Sequence, residues 1–300
     1  MKKVLLILMT ISVLFIISCS DPEIYNSIDD LDSKTQKSLT QTFELDLNDS
    51  NTSYVFVTEA GCTVRFPSGK FSQNGNEVVG KINIDVIEIF DKGNMALTGM
   101  TTTSYFETLI SGGEFFIRAY QDDNELDYDD FYAIKVPTSL TGGPSNEMML
   151  FSRTFTDLDL GQTWSIAQDI PESMAITLSE NQENYSITLR GFGWFNCDRF
   201  RNDPGKRITL DILTPAEFNE KNSVVYFAIK NETSSLSNAF NFPMPKGLEI
   251  HLIFIASSNE ELLYEIISTT ASDDLVYVFR QSKMQKASAD ELRDIINGLQ

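Results

Sequence analysis

Residues 224–229 (Val-Val-Tyr-Phe-Ala-Ile) and 250–255 (Ile-His-Leu-Ile-Phe-Ile) are apolar at nearly every position. A strand with one solvated face alternates apolar and polar side chains, whereas a strand covered on both faces does not. These two stretches therefore predict central strands buried on both sides. A chain that contains them must build a sheet with layers above and below it.

The rest of the chain repeats a looser version of that pattern. From Thr42 onward, short apolar runs are separated by Gly, Asn, Asp and Pro, and Phe and Tyr far outnumber the two Trp. This predicts an all-β protein. Strands are expected at 53–57, 62–66, 79–90, 113–121 and 131–136 in a first block. A second block is expected at 148–152, 163–167, 185–190, 207–213, 223–230, 248–256, 262–269 and 275–281. In 79–90, Ile82, Ile84 and Val86 share one face, and Ile87 and Ile89 then break the phase. That break predicts a β-bulge or a stretch covered on both faces. Asp122-Asp123-Asn124-Glu125 reads as the turn of a hairpin between 113–121 and 131–136.

Thr141-Gly142-Gly143-Pro144-Ser145-Asn146 is the clearest linker. The organisation expected is thus two β-sandwich-like domains in tandem, over 41–140 and 147–284. A short C-terminal helix over 288–298 follows, where Ser288 and Glu291 form a capping box, Leu292, Ile295, Ile296 and Leu299 an apolar stripe, and Gly298 a C′ position. Residues 19–40 are polar with few apolar positions and predict a tether.

The extreme N-terminus gives an address. Met1-Lys2-Lys3 is a positive start, and residues 4–17 are apolar apart from Thr10 and Ser12. This run is shorter than the roughly 20 residues of a membrane span and has the flanks of a secretory leader. It closes on Ile16-Ile17-Ser18-Cys19, a small residue followed by the cysteine that a bacterial lipoprotein acylates. Residues 1–18 are therefore expected to be a signal peptide and Cys19 the lipidation site, with two or more acyl chains making a firm anchor. The formal charge is −20, and loss of Lys2 and Lys3 makes the mature protein more acidic still. That balance argues against nucleic acid and anionic headgroups as partners.

Two segments resemble uncharacterised outer-membrane lipoproteins of Bacteroidota. One begins with Gly61-Cys62-Thr63-Val64-Arg65-Phe66-Pro67-Ser68-Gly69-Lys70-Phe71 and continues through Val79-Gly80-Lys81-Ile82. Leu97-Thr98-Gly99-Met100-Thr101-Thr102-Thr103-Ser104 and Gly112-Gly113-Glu114-Phe115-Phe116-Ile117 complete it. Its order is similar to the β-sandwich module of ankyrins, zonula occludens proteins and netrin receptors. The other, Gly193-Trp194-Phe195-Asn196-Cys197-Asp198-Arg199-Phe200, resembles a signature of the same lipoproteins. The resemblance covers most of 45–280 and implies a β-sandwich held at the outer membrane, on its surface or periplasmic face, with no activity attached. Some relatives of the module cleave themselves at a His-Phe-Ser or His-Leu-Ser site. Here His251 is followed by Leu252-Ile253, so that property does not carry over.

Few residues carry chemistry. His251 is the sole histidine, on a strand where Leu248, Ile250 and Leu252 take the opposite face; no Gly-x-Ser-x-Gly elbow accompanies it. Cys62 and Cys197 are too far apart in sequence to form a zinc set with one histidine. They either pair in an oxidising compartment or stay as separate half-buried thiols. Asp123, Glu125, Asp127 and Asp129 alternate and would share one strand face, a weak calcium candidate or a solvated turn. Trp194, Phe195, Asp198 and Arg199 form a candidate binding platform, with the aromatics stacking on a sugar or peptide, or else a packed strand-end corner. No cofactor is implied. The expectation is a non-enzymatic envelope lipoprotein that binds an envelope protein or glycan or helps an assembly. A carbohydrate-binding surface lipoprotein beside a nutrient transporter and an envelope hydrolase are the alternatives.

Overall fold

The computed structural model describes residues 25–48, 53–67, 70–153, 163–258 and 261–300. The leader at 1–18 and Cys19 lie outside the described residues. Strands make up 48% of the chain and helices 14%, so the all-β expectation becomes a mostly β molecule with four short helices.

Three sheets form the body. Sheet I runs Gln41–Asp46, Lys81–Ile89, Glu107–Gln121, Gly193–Phe200, Met149–Arg153 and Trp164–Ile166 along its main path. Sheet II runs Ile176–Leu178, Asn184–Arg190, Phe131–Pro137, Thr63–Phe66 and Tyr54–Val57. Sheet III runs Leu236–Asn238, Ser223–Ile229, Glu249–Ser258, Glu261–Thr270 and Gln285–Ala287. Sheets I and II enclose one core, in which Ile82, Ile84, Val86 and Ile117 meet Val64, Phe66, Ile134 and Ile187. The back of sheet I, through Ile89, Leu109, Phe151 and Trp164, shares a second core with Tyr226, Ile253 and Ile255 of sheet III and with helices. The far face of sheet III holds Val225, Phe227, Leu252 and Phe254 in a third core. Strands Ser223–Ile229 and Glu249–Ser258 are therefore covered on both faces, as their unbroken apolar character requires.

The phase break in 79–90 has the second of its two causes. Lys81, Asn83, Asp85, Ile87 and Ile89 share a face by regular alternation, and the register to Glu107–Gln121 runs unbroken from Asn83 to Ile89. Only the far half of that face is covered by the second core, so polar residues give way to isoleucine without a bulge.

The linker at 141–146 is not a boundary between sheets. Glu107–Gln121 pairs with Gly193–Phe200, and Phe131–Pro137 pairs with Asn184–Arg190, so strands from both expected domains interleave in sheets I and II. Thr141 is buried, and the Tyr185 hydroxyl accepts from the Ser145 amide at 2.6 Å. The expected hairpin is also replaced. Gln121 turns tightly onto Asn124 within sheet I, and the chain then crosses to sheet II.

Among the described residues there are four α-helices: α1 (Ile28–Ser38), α2 (Lys92–Thr98), α3 (Glu172–Ala175) and α4 (Ala289–Asn297). α1 corrects the tether expected over 19–40. Its few apolar residues fall at helical spacing, so Ile28 and Leu31 are buried together with Thr35, and the Ser27 hydroxyl caps it by accepting from the Asp30 amide. Tyr25 is also buried, and the Ser257 hydroxyl donates to its carbonyl. α2 is bracketed by Asp91, which accepts from the Asn94 amide at 2.8 Å, and by Gly99 at φ +66°. α2 packs on α4 so closely that a Cβ at Gly93 would stand 2.5 Å from the Arg293 carbonyl oxygen. α4 has the expected capping box and buries Leu292 and Ile296. Gly298, however, takes a right-handed φ of −74° and closes the helix as its C-cap, not as a left-handed C′ residue.

Candidate functional site

Gly193–Phe200 is an interior strand of sheet I, between Glu107–Gln121 and Met149–Arg153. Its alternation separates the four candidate residues. Phe195 lies with Cys197 in the core between sheets I and II, whereas Trp194 faces the second core, its ring centroid 5.3 Å from that of Phe116. Asp198 is fully buried. Arg199 is half-buried and its guanidinium is 4.0 Å from Glu147. Trp194, Phe195, Asp198 and Arg199 thus do not converge on one surface, nor do they form a strand-end corner: they are packed along one continuous interior strand.

What the strand does assemble is a sealed polar cluster. Between Asn196 and Asp198 the register with Glu107–Gln121 shifts, leaving an extra residue at Gly112-Gly113. Gly113 sits at φ +123°, and a Cβ there would lie 2.6 Å from the Phe90 ring. The bulge places Ser111, Glu114, Asn196 and Asp198 together. Asn196 Nδ2 donates to Asp198 Oδ2 at 2.6 Å, and the Ser111 hydroxyl donates to Asn196 Oδ1 at 3.3 Å. Both carboxyl oxygens of Glu114, and Oδ1 of Asp198, are buried without a hydrogen-bond partner.

The electrostatics follow from that burial. Desolvation pushes the Asp198 carboxyl up to about 7, although donors from Ser111, Asn196 and the Gly112 amide oppose the rise. Burial raises Glu114 well above the ordinary carboxyl range; the neighbouring Asp198 charge adds to this and Arg153 opposes it. On α1, burial carries Asp32 up to about 8, with Asp29 adding and Arg153 again opposing. All three carboxyls are thus displaced towards their protonated forms; Glu114 and Asp198 are fully buried, which keeps them from a bound molecule, and Asp32 is partly buried. No sequence signal marks Glu114 or Asp32; Glu114 shows itself only through its place opposite Asn196.

The other sequence candidates separate as well. Cys62 and Cys197 are both free and buried, and burial raises both thiols, which makes them inert. His251 is buried on sheet III, its Nδ1 2.7 Å from the Ser268 hydroxyl and its Nε2 2.7 Å from the Gln300 carbonyl. It ties down the C-terminus. Glu125, Asp127 and Asp129 are exposed around buried Leu126 and Tyr128, as their alternation requires, but they span two sheets. Glu125 pairs with Tyr120 of sheet I, and Asp127 with Ser72 of a separate small sheet, while Asp123 occupies the turn at φ +64°. Glu125, Asp127 and Asp129 line an open cleft with Asp169 and Arg190. Among the described residues no group of three or more His, Cys, Asp or Glu could hold a metal, so the calcium candidate is not supported.

No family model, curated protein or solved structure matches this chain. Among the described residues no helix is long and apolar enough to cross a membrane.

Proposed function

We propose that the protein is a lipid-anchored, non-enzymatic binding or assembly module of the bacterial cell envelope. The observation that carries this reading is Ile16-Ile17-Ser18-Cys19 behind a short apolar leader, so close to Tyr25, which is already buried in the body. Five residues, 20–24, separate the acylated Cys19 from Tyr25 of the body. Even fully extended, the stretch from Cys19 to Tyr25 reaches only about 20 Å, so the body stands near the membrane instead of being held clear of it. The resemblance to Bacteroidota lipoproteins favours the outer membrane. The burial of Glu114 and Asp198 supports a binding role over a catalytic one, because two of the carboxyls whose protonation is displaced lie out of reach of a substrate.

Cys19→Ala tests the anchor. The variant is expected to lose incorporated labelled fatty acid and leave the membrane fraction while keeping its far-ultraviolet circular dichroism. Membrane retention equal to that of the unmodified sequence would overturn the reading.

A further inference from the structure

We propose that the outward face of sheet II binds an acidic polysaccharide. The chain holds 43 acidic and 23 basic residues, yet the five strands of sheet II contain no acid and three bases, Arg65, Lys135 and Arg190. All three are exposed. No ion pair or hydrogen bond holds their charged ends among the described residues; Arg190 lies over the Phe131 ring, 5.7 Å from its centroid.

The register shows how they are arranged. One cross-strand row is Val57, Thr63, Lys135, Ser186 and Thr177. The next is Val55, Arg65, Ala133 and Thr188, and the third pairs Phe131 with Arg190. Successive rows on a face are two residues apart, about 7 Å, so one cation per row spans about 14 Å along the strands. That length suits a polymer with repeated charges better than a single small anion. Between the cations stand the hydroxyls of Thr63, Thr177, Ser186 and Thr188, which can exchange hydrogen bonds with sugar hydroxyls. Val55 and Val57, 53% and 60% exposed, give the apolar strip on which a sugar face can rest.

Charge complementarity selects an acidic occupant. Glu59, Asp130 and Glu183 border the face only at strand ends, and Arg190 also touches the acidic cleft. Arg190 shares that cleft with Glu125, Asp127, Asp129 and Asp169, whereas Arg65 and Lys135 do not line it; charges farther away than the Debye length, about 10 Å at 0.1 M salt, are largely screened, so acids remote from this face weigh little against its cations. The inference rests on the binding reading above and not on the anchor.

The test uses purified full-length protein with three probes: immobilised polygalacturonate, neutral dextran, and vesicles of phosphatidylglycerol. Retention on polygalacturonate is expected, falling at least about tenfold in affinity between about 50 and about 300 mM NaCl, with none on dextran. The triple variant Arg65→Ser, Lys135→Ser, Arg190→Ser should lose about tenfold or more at unchanged melting temperature. Lys206→Ser, which removes a cation already paired with Asp273, should bind as the unmodified protein. Failure to bind polygalacturonate, equal binding by the triple variant, or binding to vesicles alone would each overturn the proposal. Because no step involves Cys19, polymer binding by a protein that proves unacylated would sink the anchor and leave this inference standing.

Discussion

Sheets I and II line the same core from opposite sides, yet their other faces have opposite fates. Much of the outer face of sheet I is roofed by helices and sheet III, so Glu114 and Asp198 on that side are sealed and pushed towards their neutral forms. Among the described residues the outer face of sheet II has no such roof, and there the polar residues are hydroxyls, Asn184 and unpaired cations. A polar residue on a strand is thus an internal cost or an external contact according to what a distant part of the chain places over it.

The sharpest test of that contrast uses adjacent residues. Phe66 points into the shared core, its ring 4.7 Å from that of Tyr132, whereas Arg65 points out. Phe66→Ala should cost about 3–5 kcal/mol in denaturant unfolding, and Arg65→Ala about 0.5 kcal/mol or less. Similar costs at the two positions would break the comparison. Leu31→Ala, on the helix that helps roof sheet I, should cost about 2–4 kcal/mol; a negligible effect would restore the tether.

The acids raised by burial give a pH dependence of definite sign. Asp198 and Asp32 have carboxyls raised to about 7 and about 8, so the folded chain binds more protons than the unfolded one above pH 4. Their stabilising contribution is full below the unfolded carboxyl range and is lost as pH rises through about 4 to 8. Glu114 acts in the same direction. Glu114→Gln, which cannot ionise, should raise stability at pH 8 by about 1–3 kcal/mol and change it little at pH 5. Equal effects at both pH values would show that the carboxyl is not sealed.

How much of this could be seen in the sequence depended on distance along the chain. The capping box of α4 was legible because Ser288 and Glu291 are three apart, and residues 250–255 were legible because their apolar run needs no partner to be recognised. α1 was missed because Ile28, Leu31 and Thr35 form a sparse stripe among charges, and the cue was their spacing, not their number. The pairing of Gly193–Phe200 with Glu107–Gln121 joins segments far apart in sequence, so the apparent linker at 141–146 misled. Asp198 stood out as a polar residue among aromatics; that it is buried depended on the layers covering sheet I. The cations of sheet II became a set only once the register aligned Arg65, Lys135 and Arg190 in successive rows.

Amide hydrogen–deuterium exchange tests the central contrast most directly. Strand Glu107–Gln121 is interior to sheet I and roofed over its central part, whereas Tyr54–Val57 is an edge strand of sheet II with an open face. Amides of residues 114–117 should exchange only through global unfolding, and those of residues 55–57 at least about a hundredfold faster through local opening. Equal protection in the two segments, or faster exchange at 114–117, would contradict the account.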